Sequence, residues 1–171
     1  MIFFKNNLRF FIILVLVFVN FFIWQAARSA APGVLTVAFL DIGQGDSIFI
    51  ETPGGKQVLI DGGPNKGVLS ALAEFIPFGD RDLDMVLATH PDKDHIGGLP
   101  AVFERFDIGY YFLPGVKSDS SFDEALEEAA LKNGAERVFI RRGMKIDFGD
   151  GAHLTALFPD RKVEEVETNT A

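Results

Sequence analysis

No cysteine occurs among the 171 residues. That absence excludes a disulfide framework, a thiolate metal site and a cysteine nucleophile. Histidine is scarce too: the chain has three imidazoles, at His90, His95 and His153, so imidazole chemistry has a short list of candidates. Acid is missing from the first 33 residues, which carry Lys5, Arg9 and Arg28 and a local charge of +3. The remainder holds 13 bases against 24 acids, a net −11, within a total of −8. A globule this acidic does not draw nucleic acid by its overall field. Handling a phosphate backbone would need bound metal ions to supply the attraction locally. An apolar content of 48% excludes a disordered chain. The length suits one domain with an appendage and does not suit two large ones.

The longest apolar run, residues 10–27, reads FFIILVLVFVNFFIWQAA, with Asn20 and Gln25 its clearly polar members. About 20 apolar residues in a helix span a bilayer. Lys5 and Arg9 ahead of the run favour a cytoplasmic N-terminus, and Trp24 suits the far interface. Residues 1–30 are therefore expected to be a transmembrane anchor or a signal peptide, with the domain at 34–171 extracytoplasmic. Small residues at Ala26, Ala27, Ser29, Ala30 and Ala31 would serve a signal peptidase and release a secreted domain. Arg28 interrupts them, Pro32 spoils a cut after Ala31, and the run is long for a signal core. These features favour the anchor, with the membrane engaged through residues 10–27.

Beyond Gly33 the pattern turns to short strands. Residues 34–40 are apolar on both alternating faces, which predicts a strand buried on both sides. Turns at Ile42–Asp46 and Pro53–Gly55 separate it from strands at 47–50 and 57–60, predicting an antiparallel meander. Val68, Leu69, Leu72, Phe75 and Ile76 recur at helical spacing, as do Leu99, Val102, Phe103 and Phe106. Strands are expected at 85–88, 110–113 and 137–140. A helix is expected from Ser121, capped through Glu124 and stopped by Gly134. Residues 145–148 and 153–158 read as a hairpin across Gly149–Gly151. Strands alternating with helices after a meander indicate a layered α/β domain.

The chemistry concentrates in Thr89-His90-Pro91-Asp92-Lys93-Asp94-His95-Ile96-Gly97-Gly98. Four potential ligands, His90, Asp92, Asp94 and His95, follow the carboxyl end of a buried strand, where α/β sites usually lie. In an extended loop His90 and Asp92 leave one face, while Asp94 and His95 diverge toward a second metal or the far side of one. Imidazole with carboxylate suits Zn²⁺, Mn²⁺ or Fe. The bland alternative is a solvated turn, but the buried strand before it and the Gly-Gly helix start after it are what a metal loop needs.

This segment resembles the H-x-H-x-D-H signature of the metallo-β-lactamase superfamily, with Asp92 in place of the second His. The T-H-x-D-x-D-H-x-G-G form is similar to the hydrolase domain of ComEC-type DNA-uptake proteins and their single-domain relatives. Phe39-Leu40-Asp41-Ile42-Gly43-Gln44-Gly45-Asp46-Ser47 resembles the LDVGQGD motif of that branch, and Val58-Leu59-Ile60-Asp61-Gly62-Gly63 its next strand. The resemblance implies an αββα sandwich, of which 34–171 is the N-terminal part, and one or two divalent metal ions, Zn or Mn. It implies that His90 and Asp92 hold the first metal and Asp94 and His95 the second. Asp94 would also orient water or accept its proton. Asp41, Gln44 and Asp46 would form a supporting shell, with Asp61 bracing the metal loop. His153 is set aside as a ligand because no partner stands near it in sequence.

The implied activity is metal-dependent hydrolysis of phosphodiesters such as DNA. The alternatives are hydrolysis of esters, thioesters or lactams, and a non-catalytic membrane-anchored module of the same fold. The superfamily's downstream T-G-D aspartate and late His are absent, so the chain is expected to be C-terminally incomplete and weakly active or inactive alone.

Overall fold

The computed structural model describes residues 2–29, 33–115 and 120–159, with side chains described in the first helix from residue 9 to residue 24. The chain forms two compact units that divide after Val34. The first unit contains α1 (Ile2–Ser29), whose described side chains are all exposed. The amide of Asn20 donates back to the Leu16 carbonyl at 2.9 Å, one turn earlier in the helix. Among the described residues no helix is long and apolar enough to cross a membrane. The expected membrane-spanning or signal helix is therefore not established by the structure.

In the second unit, β1 (Thr36–Phe39), β2 (Ile48–Glu51) and β3 (Gln57–Ile60) pair antiparallel, as the turn signals predict. Then come α2 (Gly67–Leu72), β4 (Asp82–Leu87), the single turn α3 (Lys93–Ile96), α4 (Leu99–Arg105), β5 (Asp107–Leu113), α5 (Ser121–Asn133) and β6 (Glu136–Phe139). β3 to β6 run parallel, because each is separated from the next by a crossover containing helix. The six strands lie in sequence order in one sheet, and β7 (Lys145–Asp147) with β8 (His153–Thr155) forms a separate hairpin.

Strand alternation sends neighbouring residues into different cores. Phe49, Leu59, Val86 and Tyr111 join Val68 and Leu72 of α2, Leu99 and Val102 of α4, and Leu126 of α5 in the larger core. Their neighbours Ile50, Val58, Met85 and Phe112 pack with Ile146 and Leu154 of the hairpin in the smaller one. The result is a helical layer, a mixed sheet and a hairpin layer. This mixed α/β fold is consistent with the expected family. Among the described residues no helix covers the outer side of the hairpin, so the full αββα arrangement is not seen here.

Three expectations are corrected. β1 is not buried on both faces: it is the sheet edge, Val37 is exposed and Phe39 is 80% exposed. Its apolar pattern records affinity for a cover that the described residues do not supply. α2 stops at Leu72, and Phe75 and Ile76 follow in turns. The cap of α5 is Ser120, whose hydroxyl accepts from the Asp123 N–H at 3.2 Å, so the capping pair sits one residue earlier than Ser121 and Glu124. Gly134 ends that helix in the left-handed conformation, as expected.

The hairpin is tied to the sheet by Asp150. Its carboxylate accepts from the Gly54 N–H at 2.6 Å and from the Ala152 N–H at 2.9 Å. The Thr52 hydroxyl, hydrogen-bonded to the same carboxylate, is the largest of the influences that hold its pKa below the ordinary 3.8. A depressed carboxylate pKa contributes stability that is complete above 3.8 and lost as pH falls through the folded value. Asp150→Asn is expected to melt earlier than wild type at neutral pH, with the gap closing in acid. Thermal melts across pH measure it, and a gap constant through acid would show that the charge of Asp150 is not what ties the hairpin.

Candidate metal centre

The site forms where β3 and β4 end side by side. The Asp61 N–H donates to the Leu87 carbonyl at 2.8 Å, so the loops after the two parallel strands start as neighbours. Asp61 is the one described non-glycine residue at positive φ, at 57°. That conformation turns its carboxylate back onto the second loop. There Oδ1 accepts from the Thr89 N–H at 2.8 Å, while Oδ2 accepts from Thr89 Oγ1 at 2.6 Å. Oδ2 also meets His95 Nδ1 at 2.9 Å, with the two side chains 3% and 13% exposed. From below, the Ser47 hydroxyl donates to the Asp61 carbonyl at 2.9 Å.

This network assigns both imidazole tautomers. An ionised carboxylate only accepts, so His95 Nδ1 carries the hydrogen and Nε2 keeps its lone pair. The Thr89 hydroxyl gives its one hydrogen to Asp61, so at His90 Nδ1, 2.9 Å away, it can only accept. His90 is thereby set with a free Nε2 as well. Each free nitrogen faces a carboxylate: His90 Nε2 lies 3.5 Å from Asp92 Oδ2, and His95 Nε2 lies 3.8 Å from Asp94 Oδ2. The two rings stand 3.8 Å apart between centroids.

Backbone packing holds the loop in place. Gly62 N donates to the His95 carbonyl at 2.7 Å, and Gly98 N to the Gly63 carbonyl at 2.9 Å. A Cβ on Gly98 would fall 2.1 Å from the Gly62 carbonyl oxygen, and one on Gly97 would fall 2.4 Å from that of Pro64. Both positions therefore require glycine for close approach, as the sequence implies.

The structure brings His90, Asp92, Asp94 and His95 together, with one change of geometry. Residues 93–96 form a helical turn rather than an extended loop, so Asp94 and His95 converge instead of diverging. The four donors stand as two adjacent pairs. Among the described residues no group of three or more such side chains closes into a metal cage. Asp92 and Asp94 are 57% and 55% exposed, which leaves both carboxylates free to reorient. Two imidazoles and two adjacent carboxylates are donors of the chemistry that divalent cations take. Hydrogen bonds to the far ring nitrogens are the usual outer support of such ligands.

Asp61 hydrogen-bonds the donor loop through Thr89 and His95. Asp41, Gln44 and Asp46 are exposed on the turn after β1, which meets the site through backbone: the Asp46 carbonyl accepts from the Gly63 N–H at 3.2 Å. Lys93 sits over the Phe122 ring, its Nζ 5.1 Å from the centroid. His153 lies in β8. Thr89 and Ser47 were not singled out by sequence reasoning. A hydroxyl residue immediately before the first His is the signal that could have found Thr89.

The family model of the metallo-beta-lactamase superfamily matches residues 40–170. ComE operon protein 3 of Bacillus subtilis (strain 168) is 31% identical over 134 residues, which are 67% of this chain and 17% of that protein. The chain thus spans less than a fifth of the length of that curated relative. Members of the superfamily commonly bind divalent metals. With the fold, the donor loop and both matches in agreement, the chain belongs to the metallo-beta-lactamase superfamily and is ComEC-like within it.

Proposed function

We propose that this chain carries a divalent-cation-dependent hydrolase site acting on phosphodiesters such as DNA. The supporting observation is the Asp61–Thr89 network, which leaves the Nε2 lone pairs of His90 and His95 beside Asp92 and Asp94. His90 and Asp92 would hold a first cation, and His95 and Asp94 a second. A bound cation of this kind supplies Lewis acidity and brings the pKa of water toward ~7. Asp94, exposed and adjacent to His95, orients the attacking water or accepts its proton. Asp61 keeps the His95 ring from rotating, and Thr89 does the same for His90.

The phosphodiester substrate rests on the resemblance to ComEC-type domains. The acidic surface makes the cations the electrostatic attraction for an anionic substrate. Placement outside a membrane, anchored through residues 10–27, belongs to the same reading and rests on the apolar run preceded by Lys5 and Arg9.

A second reading, a binding module without catalysis, is favoured by one observation: the donors form two pairs and no closed cage. Elemental analysis after dialysis against Mn²⁺ or Zn²⁺ tests the site. Bound metal is expected in the wild-type chain, partial loss in His90→Ala or Asp94→Ala alone and near-complete loss in the double variant, whereas unchanged content in the variants would defeat the assignment. Turnover of bis(p-nitrophenyl) phosphate, compared with an uncharged p-nitrophenyl ester, separates phosphodiesterase from esterase. Metal uptake without turnover of either supports the module.

A further inference from the structure

The turn after β1 contains two glycines at nearly the same positive φ, Gly43 at 84° and Gly45 at 78°. Their surroundings differ completely. Nothing lies within 4 Å of a Cβ built on Gly43. A Cβ built on Gly45 would fall 1.8 Å from the carbonyl oxygen of Asp94 and 2.9 Å from the Asp94 Cβ. The Gly45 Cα therefore lies directly against the backbone of one proposed ligand.

The turn is held in that position at both ends. The Leu40 N–H donates to the Ser47 carbonyl at 2.9 Å, closing its base. The Asp46 carbonyl accepts from Gly63 N at 3.2 Å, and the Ser47 hydroxyl reaches the Asp61 carbonyl at 2.9 Å. Asp61 and Gly62 in turn hold His95, through Nδ1 and the backbone carbonyl respectively. One side of the donor loop is thus gripped by hydrogen bonds to His95. The adjoining residue, Asp94, is backed by the bare α-carbon of Gly45.

We propose that Gly45 is a positioning residue for Asp94, its missing side chain allowing the β1–β2 turn to press the α3 backbone into the place from which the Asp94 carboxylate faces His95 Nε2. This rests on the cation-site reading above and adds a residue to it. Any side chain at 45 meets main-chain atoms, which cannot swing aside as a flexible side chain would. The turn and α3 must then separate, and Asp94 moves relative to a His95 that stays fixed by Asp61 and Gly62.

The paired glycines provide the experiment. Gly43→Ala and Gly45→Ala place the same methyl in the same turn at nearly the same unfavourable φ. Both therefore incur comparable backbone strain, and only Gly45→Ala adds the collision with Asp94. Circular dichroism and thermal melts establish that each variant folds. Isothermal titration with Mn²⁺ alone, then Zn²⁺ alone, gives cation affinity with no dependence on turnover. Gly43→Ala is expected to keep wild-type affinity after its stability loss. Gly45→Ala is expected to bind about tenfold or more weakly, in the range seen when outer support of a ligand is lost. Equal affinities of two folded variants would overturn the inference while leaving the cation site standing. A wild-type chain that takes up neither cation would overturn both. If Gly45→Ala fails to fold at ordinary temperature, the two alanine variants are compared at reduced temperature, and equal affinities there again overturn it.

Discussion

Replacing Asp61 with Asn is expected to lower cation affinity by about 10–100-fold while the chain stays folded. The side chains are nearly isosteric, and the amide oxygen can still accept from the Thr89 N–H. The amide nitrogen cannot accept, however, and Oδ2 now takes both the Thr89 hydroxyl and His95 Nδ1. With an NH₂ in that place, His95 must offer Nδ1 as an acceptor, which moves its hydrogen to Nε2 and removes the lone pair from the site. The Thr89 hydroxyl also loses its acceptor, and with it the reason His90 keeps its hydrogen on Nδ1. One substitution thus reverses the preference of two rings. Asp61→Ala is expected to add a stability loss of about 1 kcal/mol for the partly buried Thr89 and His95 donors it leaves unpaired. Titration with Mn²⁺ and nitrogen-detected NMR of the imidazoles check both statements. Unaltered tautomers and affinity in Asp61→Asn would remove the network from the account.

The second large effect concerns stability more than the site. Leu99 is fully buried at the start of α4, immediately after the Gly97–Gly98 turn. A Cβ on Gly62 would lie 2.7 Å from its Cδ2, so the side chain fills the space under the β3 loop as well as the helix–sheet interface. Leu99→Ala is expected to cost about 2–5 kcal/mol, the lost transfer energy plus the cavity left behind. That is a large share of the ~5–15 kcal/mol typical of a domain. Urea titration should show a lower midpoint with an unchanged slope. In the folded fraction the Asp61 network survives, so cation affinity should stay near wild type. Loss of affinity comparable to that of Asp61→Asn would mean that core packing, and not the hydrogen bonds, sets the ligand geometry.

Much of this arrangement was legible in the sequence because it is local. The strand at 57–60 has the expected bounds, since Gly54–Gly55 and Asp61–Gly62 punctuate it on both sides. The four donors occur within six residues, and the glycines that follow mark the close approach. What was hidden depends on neighbours distant in the chain. The apolar pattern of residues 34–40 reports a preference for burial without saying whether anything covers it, so β1 emerged as a half-exposed edge. Adjacent serines at 120 and 121 are equivalent by composition, and the tertiary position of α5 selects the first as cap. In sequence Thr89 is the residue ahead of the donors and Gly45 part of an ordinary turn. Their roles arise only when Asp61 and Asp94 are brought to them from other loops.

The left-handed backbone of Asp61 has an evolutionary corollary. Such conformations for a residue with a side chain cost of order 1–3 kcal/mol and persist where the surroundings enforce them. Glycine would relax the main chain and eliminate the carboxylate on which both rings depend. Relief of the main chain and loss of the Thr89 and His95 bonds thus pull in opposite directions at a single codon.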